Sequence, residues 1–158
     1  MVSVRRLGRG DEKLMLSAVD KIKSEGAVPK ELSRLSPERF LEAESNIFMA
    51  AIGDDGSPVG FLLSYRLPRI DTDRMMILIY ELEVAHEHRG QGVGRKLLEG
   101  LKELLADDDI LKMWVLTNRS NRAAVKLYQT CGGRFGGGED MVMLEFYPPP
   151  KSGGDKAI

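Results

Sequence analysis

The chain has 158 residues, enough for one domain with its own hydrophobic core. Its apolar fraction of 42% and charged fraction of 30% are those of an ordinary globular protein, and its net charge of −1 gives no basis for nucleic acid or an anionic membrane as partner. The one cysteine, Cys131, excludes an intrachain disulfide and a cysteine-based zinc site and fits a reducing, cytoplasmic setting; no apolar run approaches a membrane span, and the charged start MVSVRRLGRGDEK does not read as a signal peptide.

Val2 to Leu7 alternates apolar and polar residues, the pattern of a short strand. Gly8 and Gly10 break it, and Asp11 is placed to cap a helix carrying Leu14, Val19 and Ile22. Ser36 and Pro37 open a second helix with Phe40 and Leu41. Asn46 to Ile52 reads as a strand, Asp54-Asp55-Gly56-Ser57 as a turn, and Pro58 to Leu67 as the returning strand of a hairpin. Met75 to Val84 (MMILIYELEV) is the strongest strand signal, and its apolar first half predicts cover on both faces. A glycine-rich loop follows, then a helix to about Ala106 with Val93, Leu97, Leu98, Leu101, Leu104 and Leu105 along one side. Ile110 to Thr117 is a further strand. Asn121 begins a helix whose inner stripe is Ala124, Leu127, Tyr128 and Cys131, and Gly132-Gly133 stops it. Met141 to Tyr147 is a last strand, and the tail PPPKSGGDKAI has the composition of disorder. Residues 1–147 are therefore expected to form a single α/β domain around a mixed sheet, with 148–158 as a tail.

Between the central strand and its following helix lies RGQGVGR, Arg89 to Arg95. A strand, then Gly90, Gly92 and Gly94, then a helix presents several backbone N–H groups to one anion, with the helix dipole adding positive potential. Arg89 and Arg95 can pair with phosphate oxygens at either end. A Walker loop requires Gly-Lys-Ser/Thr, and this loop ends Gly94-Arg95-Lys96-Leu97. A dinucleotide fingerprint requires a third glycine where this chain has Arg95 or Leu97. What remains is Arg-x-x-Gly-x-Gly on Arg89, Gly92 and Gly94.

That pattern resembles the acetyl-CoA pyrophosphate loop of the GCN5-related N-acetyltransferase (GNAT) superfamily. Asn121-x-x-Ala124-x-x-Leu127-Tyr128 resembles the same superfamily's later helix, at a distance that leaves room for one helix and one strand. The resemblance implies a GNAT fold: a mixed, mostly antiparallel central sheet flanked by helices on both faces. Across Val4 to about Phe146, the segments VRRLGRGD, GFLLSYRLP and IYELEVAHEHRGQGVGRKLL are most similar to the type I aminoglycoside 3-N-acetyltransferases. Two departures stand out. Tyr80-Glu81-Leu82-Glu83-Val84 replaces that family's Tyr-Asp-Leu-Ala-Val, and Gly132 to Gly138 is unusually rich in glycine.

The resemblance implies acetyl-CoA as acyl donor, no metal, a polycationic small-molecule amine as acceptor, and a homodimer. It assigns the acetyl-CoA contacts to Leu82, Val84, Arg89, Gly90, Gln91, Gly92, Val93, Gly94, Arg95, Asn121, Ala124 and Tyr128. Acetyl transfer to an amine needs a base, an oxyanion donor and an acid for the leaving thiolate. Alternation in a strand puts Glu81 and Glu83 on one face. Glu81, in place of the family's aspartate, is the first choice as base or as a ligand for substrate ammonium, and Glu83 the alternate. The resemblance makes the Val84 N–H the oxyanion donor and Tyr128 the acid. A polycation calls for an acidic cleft, with Asp71, Asp73, Glu81, Glu83, Asp140 and Glu145 as candidates. The plainer alternatives stay open: Glu81 and Glu83 as solvated residues at a strand end, Tyr128 as core, His86 and His88 as surface residues and Cys131 as a small buried side chain. At the level of function, acetylation of another amine and non-catalytic acyl-CoA binding also stay open.

Overall fold

The computed structural model describes residues 1–23, 36–136 and 144. Its elements run β1 (Ser3–Arg6), α1 (Glu12–Lys23), α2 (Pro37–Glu42), β2 (Asn46–Ile52), β3 (Pro58–Pro68), β4 (Met75–Val84), α3 (Val93–Leu104), β5 (Ile110–Val115) and α4 (Arg122–Thr130). A short 3-10 turn, His86–His88, joins β4 to the glycine loop.

The expected hairpin forms where its turn chemistry dictates. The Asp55 carboxylate accepts the Ser57 N–H at 2.9 Å, and Gly56 sits at φ +79°, which a side chain would strain. From that turn β2 and β3 pair antiparallel, with Ala50 opposite Phe61. β1 joins the far edge of β2, β4 pairs antiparallel with β3, and β5 lies parallel to β4, giving the order β1-β2-β3-β4-β5. A parallel neighbour requires a crossover, and α3 supplies it. The sheet is thus mixed and mostly antiparallel, as expected.

Helices cover both faces. On one, Val93, Leu97, Leu98 and Leu101 of α3 pack against Ile47, Met49, Leu62, Ile77 and Ile79. On the other, Met15, Ala18 and Ile22 of α1 and Leu41 of α2 pack against Phe48, Ala50 and Phe61, whose two rings stack at 5.2 Å. Burying a side chain of this size contributes about 1.5–3 kcal/mol over leaving it exposed.

Several expectations change in detail. Asp11 does sit at the start of α1, its carbonyl accepting the Met15 N–H at 3.0 Å. Its carboxylate turns back instead, accepting from the Gly8 N–H and from Nη1 and Nη2 of Arg5, the latter two at 2.8 and 2.7 Å. β1 is shorter than Val2 to Leu7, α3 ends at Leu104 rather than Ala106, and β5 ends at Val115 rather than Thr117. Leu104, placed on the inner stripe by spacing, ends its helix 37% exposed. In β4, Ile77 and Ile79 are buried but Met76 and Leu78 are only half-buried, so cover is complete on the α3 side alone. The last expected strand, Met141 to Tyr147, and the tail 148–158 lie outside the described residues.

Candidate active site

β4 changes face halfway along. Leu63 pairs with Glu81 and Ser64 with Ile79, leaving Tyr80 as an extra residue: a β-bulge. Before it, Ile77 and Ile79 point into the α3 core; after it, Leu82 and Val84 do. Glu81 and Glu83 therefore share the opposite face, across from Leu63 and Phe61, half-buried. Strict alternation from Ile79 would have driven both carboxylates into the α3 core, so the bulge is what brings them out.

The same bulge ends the pairing with β5. That strand follows β4 only from Met75 opposite Ile110 to Ile79 opposite Val115. From Tyr80 to Val84 no described residue pairs with this edge of β4. The Ala85 N–H donates to the Val59 carbonyl at 2.9 Å, toward β3. Since amide direction alternates along an antiparallel strand, Val84 and Leu82 present their N–H groups to the opening between β4 and β5. The Arg89 Nε donates to the Val84 carbonyl at 2.9 Å from that side.

Arg89 begins the glycine loop. Gly90 and Gly92 sit at φ +74° and +82° with no atom within 4 Å of where a Cβ would stand. They are required for backbone conformation, and the space above them is open. Gly92 caps α3, whose first bond runs from the Lys96 N–H to the Gly92 carbonyl at 3.0 Å. The amides of Val93, Gly94 and Arg95 consequently have no helical carbonyl to meet, a donor set that suits a phosphate. Gln91 steadies the loop by donating from Nε2 to the Glu87 carbonyl at 2.7 Å. Arg95 pairs with Glu99 one turn along at 3.1 Å, both well exposed. Gly94 has a different reason from the one spacing suggested: a Cβ there would stand 2.9 Å from Leu127 Cδ2 and 3.4 Å from Leu82 Cδ2, so glycine lets α3, α4 and β4 close together. The Val93 side chain is core, and only its backbone faces the loop.

α4 borders the opening from the α3 side. The Asn121 carboxamide caps it, its oxygen accepting the Ala124 N–H at 3.2 Å. At its other end the Gly132 N–H donates to Gln129 and the Gly133 N–H to Tyr128, the Schellman pattern, with Gly132 at φ +91°. Leu127 and Tyr128, half-buried, pack on the α3 core together with Leu82 and Val84. Burial first, and the charge of Glu83 second, push the Tyr128 phenol above its usual pKa. The Glu83 carboxylate thus reaches Tyr128 electrostatically where β4 and β5 part.

Not all candidates meet here. Asp71 and Asp73 lie in the β3–β4 connection, at the opposite end of β4; from Met75 to Glu81 the strand alone spans about 20 Å. Asp71 is paired with Arg69, which holds its carboxyl below the usual range. Spacing along the chain carried no information on this separation. Asp140 and Glu145 lie outside the described residues. His86 is exposed and His88 half-buried, and both line a cleft of about 510 Å³ with Lys21, Asp54 and Asp55. Among the described residues no cluster suited to a metal occurs, and no helix is long and apolar enough to cross a membrane.

Three aromatic residues that no motif marks in the sequence stand on this face. Tyr65 and Tyr80 stand beside the carboxylates with ring centroids 5.5 Å apart, edge to face, and Trp114 lies on the same sheet face. In MMILIYELEV the positions packed on the α3 core slip from Ile77 and Ile79 to Leu82 and Val84, but Met75 to Tyr80 is apolar or aromatic without a break, so the sequence carries no mark of the bulge.

Comparison with known proteins bears on this arrangement. A family model described as Acetyltransferase (GNAT) family matches residues 13–133. Streptothricin acetyltransferase of Streptomyces lavendulae is 30% identical over 97 residues, 61% of this chain and 48% of that protein. The chain spans less than half the length of the curated relatives it matches. Among solved structures, an aminoglycoside acetyltransferase from an uncultured soil metagenomic sample superposes with a TM-score of 0.73 at 28% identity, covering 94% of this chain and 98% of that one. Another from such a sample, in complex with sisomicin, gives 0.77 at 17% identity over 94% and 96%, a likeness of fold.

Proposed function

The chain belongs to the acetyltransferase (GNAT) family, whose members use acetyl-CoA, and from that premise we propose that it acetylates an amino group of an aminoglycoside, at the 3-N position. The observation that carries this reading is the pair Glu81 and Glu83, held on one face of β4 where the strand parts from β5. An acidic strand end suits a polycationic acceptor, and the likeness to an aminoglycoside acetyltransferase along nearly the whole chain supports that acceptor class.

The residues fit the donor. The amides that open α3 and the guanidinium of Arg89 would hold the pyrophosphate, and the β4 edge at Leu82 and Val84, which no described residue pairs, would hold the pantetheine arm. Acetyl-CoA supplies the acetyl group as a thioester, open to direct attack by an amine. Glu81 accepts the proton that the amine loses, directly or through a water. The Val84 N–H donates to the oxygen on which negative charge develops. Tyr128, still protonated, gives its proton to the departing sulfur.

The test is acetyl-CoA-dependent release of CoA with a panel of 2-deoxystreptamine aminoglycosides. Turnover with acetylation at the 3-amino group is expected; no turnover above background with any of them overturns the reading. The likeness to a streptothricin acetyltransferase favours a second one, acetylation of a different amine, and that reading gains if only non-aminoglycoside amines turn over.

A further inference from the structure

Tyr80 is 62% exposed in a strand where Ile77 and Ile79 are 0% and 6% exposed. The bulge turns it out, onto the same side as Glu81. Tyr65 on β3 meets it edge to face at 5.5 Å. Tyr65 is opposite Leu78, and Leu78 is opposite Trp114, so a row across β3, β4 and β5 carries an aromatic group at each end. The indole Nε1 of Trp114 is enclosed and has no hydrogen-bond partner among the described residues. Glu81 is close enough to act on Tyr65: burial raises the Tyr65 phenol's pKa, and the neighbouring Tyr80 and Glu81 add to the shift. Aromatic faces next to a carboxylate make a site for an organic cation, because the ring quadrupole and the negative charge attract the same group.

We infer that Tyr65 and Tyr80, with Glu81, form the wall that binds a protonated ammonium of the acceptor adjacent to the amine being acetylated. This rests on the acetyltransferase reading above and names the part of the site that recognises its acceptor. The reacting amine must be neutral, so the cation against this wall is a second amine on the same molecule. Acceptors with several amino groups are therefore preferred, and a monoamine is a poor substrate. The rings act on binding, and Tyr80, being exposed, adds little to folding.

The experiment measures acceptor affinity by calorimetry, and turnover with acetyl-CoA, for the wild type, Tyr80→Leu and Tyr80→Phe. The acceptors are sisomicin and, as a simple cation, spermidine. Trp114 is the chain's only tryptophan, so a change in indole emission on binding reports a ligand against this face. Tyr80→Leu is expected to weaken acceptor binding about tenfold with an unchanged KM for acetyl-CoA and an unchanged thermal midpoint. Tyr80→Phe keeps the ring and is expected to restore binding to within about threefold of wild type. Equal affinities in wild type and Tyr80→Leu, or a fall in thermal midpoint that accounts for the lost binding, overturn the inference. Wild-type protein that binds sisomicin but acetylates neither it nor any other 2-deoxystreptamine aminoglycoside sinks the transfer reading and leaves the wall standing. Turnover by Tyr80→Leu at the wild-type acceptor KM sinks the wall and leaves the transfer reading standing.

Discussion

Tyr128 owes its chemistry to where α4 rests. Burial among Leu82, Val84 and Leu127, and the nearby charge of Glu83, disfavour its phenolate, so its pKa rises above 10.0 and the proton stays on at neutral pH. The sign follows: a rate that depends on this proton is intact at neutral pH and declines only at higher pH than for an ordinary tyrosine. Tyr128→Phe is expected to lower kcat about tenfold with the KM for acetyl-CoA unchanged, and steady-state kinetics check it. For Glu81→Gln the expected loss in kcat is about 100-fold, greatest at low pH where the amine holds its proton most firmly. A pH–rate profile of unchanged shape in that variant would remove Glu81 as the base. The residue types at these positions were legible in the sequence, as were the cap at Asn121 and the stripe that includes Tyr128. The partners were not: nothing in the chain order says that the Glu83 charge acts on Tyr128, because β4 and α4 are brought near one another only by the fold.

At the scale of elements, the glycines divide the labour around the opening. Gly90 and Gly92 provide left-handed turns, Gly94 provides close packing, and Gly132 ends α4 one turn beyond Tyr128. An alanine at Gly132 meets no atom within 4 Å, so its cost is conformational alone. Gly132→Ala is expected to lower stability by about 1 kcal/mol in urea unfolding, with the slope of the transition unchanged. A midpoint equal to wild type would mean that α4 ends otherwise. Spacing gave Gly90, Gly92 and Gly94 a single reason, room for phosphate, and gave Gly132 another, the stop of its helix. Gly94 shows the limit of that argument, since the atom a side chain there would crowd belongs to Leu127, more than thirty positions away.

Over the whole molecule, Asp11 joins the edge strand β1 to α1 through Arg5, and that link is sensitive to acid. The guanidinium of Arg5 first, then the Gly8 N–H, lowers the Asp11 carboxyl from 3.8 to about 2. A depressed carboxyl stabilises the folded state above its unfolded pKa, and the contribution is lost as the pH falls from 3.8 through about 2. Both side chains are partly exposed, so solvent screening limits it to about 1 kcal/mol. Asp11→Asn is expected to cost that much at pH 7 and almost nothing at pH 2, measured by thermal unfolding across the range. By itself the sequence determined the order of the described elements, the hairpin, the glycine loop and the capped helix at Asn121. Those are properties of near neighbours, fixed by periodicity, turn residues and glycine. Only the tertiary structure decided that Tyr80 bulges, that Glu81 and Glu83 consequently leave the α3 core, that Tyr65 and Trp114 stand on their side of the sheet, and that Asp71 and Asp73 lie at the other end of β4. Those depend on strand register, and register is set by pairing between residues far apart in the chain.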